Sequence, residues 1–387
     1  MANSPDYLSQ ALTGAAILTD KWFSESDVIA WVGPDYWRAP VICTLLIDLM
    51  AQTNKVDYTA TVEAARQRSE RWFRTCGYYD DLTWWGRLFM HAYDYFKSQS
   101  NTNLMGIYLK DAKIVCDQLS LAWDDWDTPE YCNGGVWWMR PPPPPPGPPM
   151  PPKLYFKASN STLGFMETAL ALYLELGDQN YLALGQKCWD WIVKWNFVDN
   201  DGLVWGALIP GDCTLDPNNV PVLSLQGEAL APLWMLYKAT NKTEYLDAAD
   251  KVAEGTMAKM VWAGTQIMED RNDGTWADQT DAWKIENSGD TPFKGLFATY
   301  LGEYTKNLKA IRPEQAEKYA AFLRANADAV WTNYPGHMFS MDWHTRDENY
   351  QPLPADTNPI PNSDYVNASL QYSGVAALAA AALVSRG

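Results

Sequence analysis

No run of about 20 apolar residues, the length a membrane-crossing helix needs, stands out along the 387-residue chain, so the sequence reads as a soluble protein. Histidine is scarce. His91, His337 and His344 form no HExxH-like pair, which argues against a metal centre built on imidazoles. The six cysteines, at 43, 76, 116, 132, 188 and 213, show neither CxxC nor zinc-finger spacing; their even number permits disulfides without requiring any. Cys188, within CWDWIVKW, reads as a buried helix position. Basic residues are also few: 30 against 47 acidic ones leave a net charge of −17, which repels nucleic-acid phosphates and anionic membrane surfaces. The start, MANSPDYLSQAL, lacks the basic opening and apolar run of a secretion signal, so the numbering is that of an intracellular protein or of a mature chain. Sequons at Asn160, Asn241 and Asn367 lean towards secretion, and a secreted protein is the expectation.

What the chain has in plenty is aromatic surface: 20 tryptophans and 21 tyrosines. Most should pack in a core, which 47% hydrophobic residues make large. Tryptophan also offers a flat apolar face with one polar donor, a match for sugar rings with apolar C–H faces and hydroxyl edges. The dominant period is helical. In ALYLELGDQNYLALGQKCWDWIVKW the apolar positions fit two helices joined at GDQN. The unit recurs, because Tyr173 precedes Tyr181, Tyr237 precedes Tyr245 and Met50 precedes Tyr58, each by eight residues across a polar turn. A looser copy lies in YDYFKSQSNTNLMGIYLKDAKIV. Repeated helical hairpins of about 60 residues predict an all-α fold, and roughly six of them would close an (α/α)6 barrel. Long loops at 123–157, 196–225, 262–292 and 333–366 favour a ring with a decorated mouth over an open solenoid. Residues 1–387 therefore read as one domain. RPPPPPPGPPMPP, residues 140–152, reads as a stiff polyproline II excursion inserted in it, and as a ligand for a proline-binding domain only in the alternative.

YYDDLTWW, residues 78–85, sets Asp80 beside Asp81 among bulky aromatics. Downstream, Trp84, Leu88, Ala92 and Phe96 form one helical stripe and Trp85, Phe89 and Tyr93 its neighbour, so a helix starts near Asp80 or Asp81. One aspartate there would be an ordinary cap; a second gains only repulsion. Glycoside hydrolysis uses two carboxyl groups around one bond, about 5–5.5 Å apart when configuration is retained. Mutual repulsion would keep one protonated beside an ionised partner, with tryptophan walls excluding water.

YYDDLTWWGRLFMHAYDYF resembles the signature of glycoside hydrolase family 76, the α-1,6-mannanases. GGVWW (134–138), KASNSTLGFMETALALYLELGDQNYL, LQGEALAPLWMLYKATNKTEYL, FKGLFATYL (293–301) and NADAVW (326–331) resemble further blocks of that family in the same order, over most of the chain. The resemblance implies an (α/α)6 barrel that cleaves internal α-1,6-mannosidic bonds with retention. Asp80 would then be the nucleophile and Asp81 the acid and later the base. It implies no metal and no organic cofactor. The implied substrate is α-mannan or a mannooligosaccharide; no nucleic acid and no membrane insertion are expected, and a monomer is. Trp84, Trp85, Trp137 and Trp138 are candidates for stacking on sugar rings, and Asn160, Gln226 and Lys294 for polar contacts to them. Leu225 departs from the asparagine that the family pattern places before the glutamine. Asp124, Asp125 and Asp127 in WDDWDTPE read as a loop cluster, or as a cation site in the alternative. The ending AALAAAALVSRG is too short for an anchor signal. A cell-wall transglycosidase and a non-catalytic carbohydrate-binding barrel are the rival readings; a terpene-type synthase fails for lack of a DDxxD pattern.

Overall fold

The computed structural model describes residues 6–24, 30–31, 36–53, 55–124, 132–140, 156–209, 211–270, 292–339, 342–344 and 368–386. The polyproline segment beyond Arg140, together with Asp125, Asp127 and the Asn367 sequon, lies outside them. Thirteen α-helices occur among the described residues. They are α1 Tyr7–Trp22, α2 Arg38–Gln52, α3 Thr59–Arg68, α4 Glu70–Thr75, α5 Tyr79–Ser98, α6 Thr102–Leu121, α7 Ser159–Leu176, α8 Gln179–Lys194, α9 Leu223–Thr240, α10 Glu244–Lys259, α11 Phe293–Leu308, α12 Pro313–Asn333 and α13 Ala368–Ser385. No strand occurs among the same residues, only isolated antiparallel bridges in the loops.

Short polar turns that close the last turn of one helix and open the next make the hairpins. Between α7 and α8, Gly177 takes the left-handed conformation (φ 70°) with its N–H on the carbonyl of Tyr173, and Asp178 then accepts the N–H of Asn180 to cap α8. Asn241 (φ 58°) plays the glycine's part after α9, donating to the carbonyl of Tyr237. Between α5 and α6, Ser100 is left-handed (φ 56°) and Asn101 caps α6 by accepting the N–H of Leu104. The Met50–Tyr58 copy of the eight-residue spacing is also real, since the Tyr58 N–H points at the Met50 sulfur, 3.0 Å away.

The chain divides into two compact units. The first comprises Met1–Ala65, Val222–Gly227 and Gly255–Gly387. Within it α13 is packed by α1, α2, α11 and α12, and is buried along nearly all its length. By length and composition α13 is apolar enough to cross a membrane, which the sequence did not suggest. Its small residues, from Ala376 to Ala382, instead let neighbouring helices approach closely; a Cβ on Gly302 of α11 would stand 3.0 Å from that of Ala380.

The second unit comprises Arg66–Pro221 and Glu228–Glu254. Here α5 lies against both α6 and α7, and α7 against α8. Both aromatic stripes of α5 are buried as the periodicity predicts, because the helix has packed neighbours on two sides. The crossing of α5 and α7 is interlocked: Gly164 of α7 sits over Thr83, and Gly86 of α5 over Thr168, each too close to admit a Cβ.

Candidate active site

Helix α5 begins one residue before the aspartate pair. Tyr78 is its N-cap residue and makes no side-chain cap, so Asp80 and Asp81 both stand in the first turn rather than at the cap itself. The residues before and after the helix start are clamped by residues 138–140. The Tyr79 N–H donates to the carbonyl of Trp138 at 2.8 Å, and the Arg140 N–H to that of Gly77 at 2.6 Å.

This clamp turns the Trp138 side chain onto Asp80. Its indole N–H donates to Asp80 Oδ2 at 2.7 Å, and the Asn160 amide, from the first turn of α7, donates to the same oxygen at 3.2 Å. Asn160 faces both ways, because its Oδ1 accepts the N–H of Ser161. Asp80 Oδ1 is buried and has no hydrogen-bond partner in the protein. Burial raises the Asp80 carboxyl from its ordinary 3.8 to about 6, against the lowering effect of its donors, Trp138 foremost. Repulsion between the neighbours is the expected cause; desolvation proves the largest.

The strip that delivers Trp138 owes its course to two glycines. Gly134 (φ 88°) and Gly135 (φ 74°) are left-handed, and a Cβ on Gly135 would fall 2.4 Å from the Trp191 ring. Only glycine fits that approach. The Trp191 indole donates to the carbonyl of Cys132 at 3.1 Å, the Val136 N–H to Thr162 Oγ1 at 3.0 Å, and a disulfide ties Cys132 to Cys213.

The four tryptophans meet different fates. Trp85 is fully buried against Trp72, Phe73 and Phe89, so the core takes it rather than a sugar ring. Trp84 is buried on the adjoining stripe. Trp137 is buried beneath the Lys157 ammonium, 4.2 Å from its ring centre. All three are buried where a sugar platform is expected, for the same reason: α5 and the glycine strip are packed on more than one side. Trp138 remains half-buried, with Phe156 stacked on it at 5.0 Å and Tyr78 edge-on at 5.3 Å. Tyr78 itself is exposed. Gln226 and Lys294 belong to the first unit. There the buried Gln226 amide donates to the carbonyl of Val222 at 3.1 Å, and the buried Lys294 ammonium lies 5.5 Å from the centre of the Trp343 ring. Asp124 is buried and ion-paired with Lys157 at 2.8 Å, which leaves no support for reading it as a cation ligand.

Charged residues that sequence reasoning passed over lie inside the second unit. Arg87 of α5 and Glu167 of α7 form a buried ion pair. Glu228 is 2% exposed and its Oε2 has no partner; burial first, then the charges of Glu167 and Asp80, push its carboxyl well above the ordinary range, with Arg87 opposing. The signal was present: each is a lone charge in an apolar helical run (WWGRLFM, GFMETALAL, LQGEALAPL).

Helical hairpins through the described residues, with an oriented aspartate in the first turn of an aromatic helix, define an all-α protein of the barrel class. The model of glycosyl hydrolase family 76 matches residues 12–370, and the chain belongs to that family. A protein of Schizosaccharomyces pombe named "Putative mannan endo-1,6-alpha-mannosidase" is 26% identical over 256 residues, 65% of this chain; the match spans about half, 52%, of that relative's length. Among solved structures, the GH76A α-1,6-mannanase of Salegentibacter sp. HEL1_6 superimposes with a TM-score of 0.74 at 19% identity, covering 98% of this chain and 100% of that one. An inactive variant of it, with two adjacent aspartates replaced by asparagine, is in complex with α-1,6-mannotriose (TM-score 0.73, 19% identity, 98% and 100% covered). Dfg5 of Chaetomium thermophilum, in complex with glucosamine, gives 0.72 at 15% identity, covering 100% and 92%. These likenesses show the fold, the (α/α)6 barrel expected from the hairpin repeat.

Proposed function

We propose that the chain is a retaining endo-α-1,6-mannanase, one catalytic domain whose adjacent aspartates cleave internal bonds of α-mannan by double displacement. The observation that carries this reading is the state of Asp80. One oxygen is fixed by two donors, Trp138 and Asn160, while the other is buried without a protein partner. A carboxylate so held is oriented and poorly solvated, and one oxygen remains for attack on an anomeric carbon. With its carboxyl titrating at about 6, Asp80 is mostly ionised at neutral pH. Asp81 then protonates the departing glycosidic oxygen and later takes a proton from the water that releases the glycosyl-enzyme. The family match and the adjacent aspartates replaced in the inactive mannanase variant support the assignment. The disulfide supports action outside the cytosol.

Unbranched α-1,6-mannan incubated with the protein, beside Asp80→Asn, tests the reading directly. Short mannooligosaccharides from the wild type alone, with the α-anomer formed first by proton NMR, are the expected result. Intact mannan in both reactions sinks it; a β-anomer first sinks the retaining mechanism.

A further inference from the structure

Lys157 has no part in the chemistry just described, yet its buried ammonium meets the glycine strip at two points and pairs with Asp124 at a third. Nζ donates to the carbonyl of Gly134 at 2.6 Å and to Asp124 Oδ2 at 2.8 Å, and it covers the Trp137 ring. The backbone repeats the attachment from both sides. The Asp124 N–H donates to the carbonyl of Gly135 at 3.0 Å, and the Trp138 N–H to that of Phe156 at 2.9 Å. Residues 134–138 are thus held between Asp124, just past the end of α6, and Lys157, just before α7.

Stability is a poor explanation for the pair. Both side chains are almost completely removed from water, and a buried ion pair seldom outdoes an apolar pair of the same volume. Burial lowers the Lys157 ammonium to about 8, so desolvation outweighs the help that Asp124 gives. What the pair supplies is position. An N–H···O bond weakens beyond about 3.2 Å, so roughly half an ångström of freedom at residue 138 would loosen the 2.7 Å contact to Asp80.

We propose that Lys157 and Asp124 are positioning residues for the nucleophile, holding residues 134–138 so that the Trp138 indole N–H stays on Asp80 Oδ2. The role as nucleophile rests on the function proposed above; the hydrogen bond does not, and it can be read without substrate. A donor to the ionised carboxylate favours ionisation, so loosening it raises the pH at which Asp80 titrates.

The test is a carbon-13 NMR titration of the Asp80 carboxyl in the intact, disulfide-bonded protein. Asp124→Leu combined with Lys157→Met removes both charges together and strands neither. The double variant should raise the Asp80 midpoint by roughly one pH unit, Trp138→Phe should raise it as much, and the three changes together should add nothing further. A midpoint unmoved by the double variant while Trp138→Phe raises it makes the pair mere packing and overturns the proposal. So does a midpoint that Trp138→Phe leaves in place. Should the double variant not fold, Lys157→Gln carries the same test, with a smaller rise expected. On mannan, the double variant should lower kcat more than it changes KM. Failure of the wild type to cleave mannan would overturn the proposed function and leave the titration result standing.

Discussion

Trp138 and Asp80, 58 positions apart in the chain, are joined by a 2.7 Å hydrogen bond from an indole N–H to a carboxylate oxygen. A tryptophan that composition marks as a candidate sugar platform is, in the folded protein, a hydrogen-bond donor to Asp80.

The burial of Asp80 costs stability, and its removal should show that. Folded Asp80 titrates at about 6 against 3.8 unfolded, so the folded state holds the proton more tightly and stability falls as pH rises from about 4 to 6. Above that window the cost is constant, at most about 3 kcal/mol. Asp80→Asn should therefore be inactive but more stable than the wild type at pH 7, with the two melting alike at pH 3.5. Equal melting temperatures at pH 7 would contradict the burial of the charge.

Glu228 should behave in the same direction. Its carboxyl is pushed up by burial and by Glu167 and Asp80, so wild-type stability keeps falling as pH climbs past the ordinary glutamate value of 4.5. Glu228→Gln should remove that decline. Urea midpoints between pH 4.5 and 9 check it: the variant should gain on the wild type as the pH rises, and parallel curves would refute the raised carboxyl.

Reduction should release the segment that leads into the glycine strip, two residues ahead of Gly134. The Cys132–Cys213 bond closes a loop across 81 positions, for which a loss of about 2–5 kcal/mol is expected. Cys132→Ala/Cys213→Ala should melt lower than the wild type, and reductant should lower the melting of the wild type only. Thiol titration of the unfolded, unreduced protein should find four free cysteines of six; six would mean that the bond does not form.

Of the described sequons, only Asn241 should carry a glycan when the protein passes through a eukaryotic secretory pathway. Its side chain is exposed in the turn after α9. Asn160 is half-buried, with its amide on Asp80 and its carbonyl on the Ser161 N–H, so a sugar there would break the site. Peptide mass mapping decides, and a glycan on Asn160 in active protein would remove it from the site.

The hairpins were legible in the sequence because their signals are local. The helical period of the apolar residues, the polar turns at Gly177-Asp178 and Asn241, and the buried stripes of α5 all depend on neighbours within a few positions. So did the start of α5, placed within two residues of Tyr79, and the aspartate pair as a departure from simple capping. Tertiary structure alone decided which partners those side chains would meet. Trp84, Trp85 and Trp138 look alike along the chain, yet two are core and one holds a carboxylate, because that depends on what packs against each from distant segments. Lys157 and Glu228 went unread for the same reason: whether a lone charge in an apolar run is paired, neutralised or exposed is settled by the elements brought against it, and helical periodicity carries no record of those.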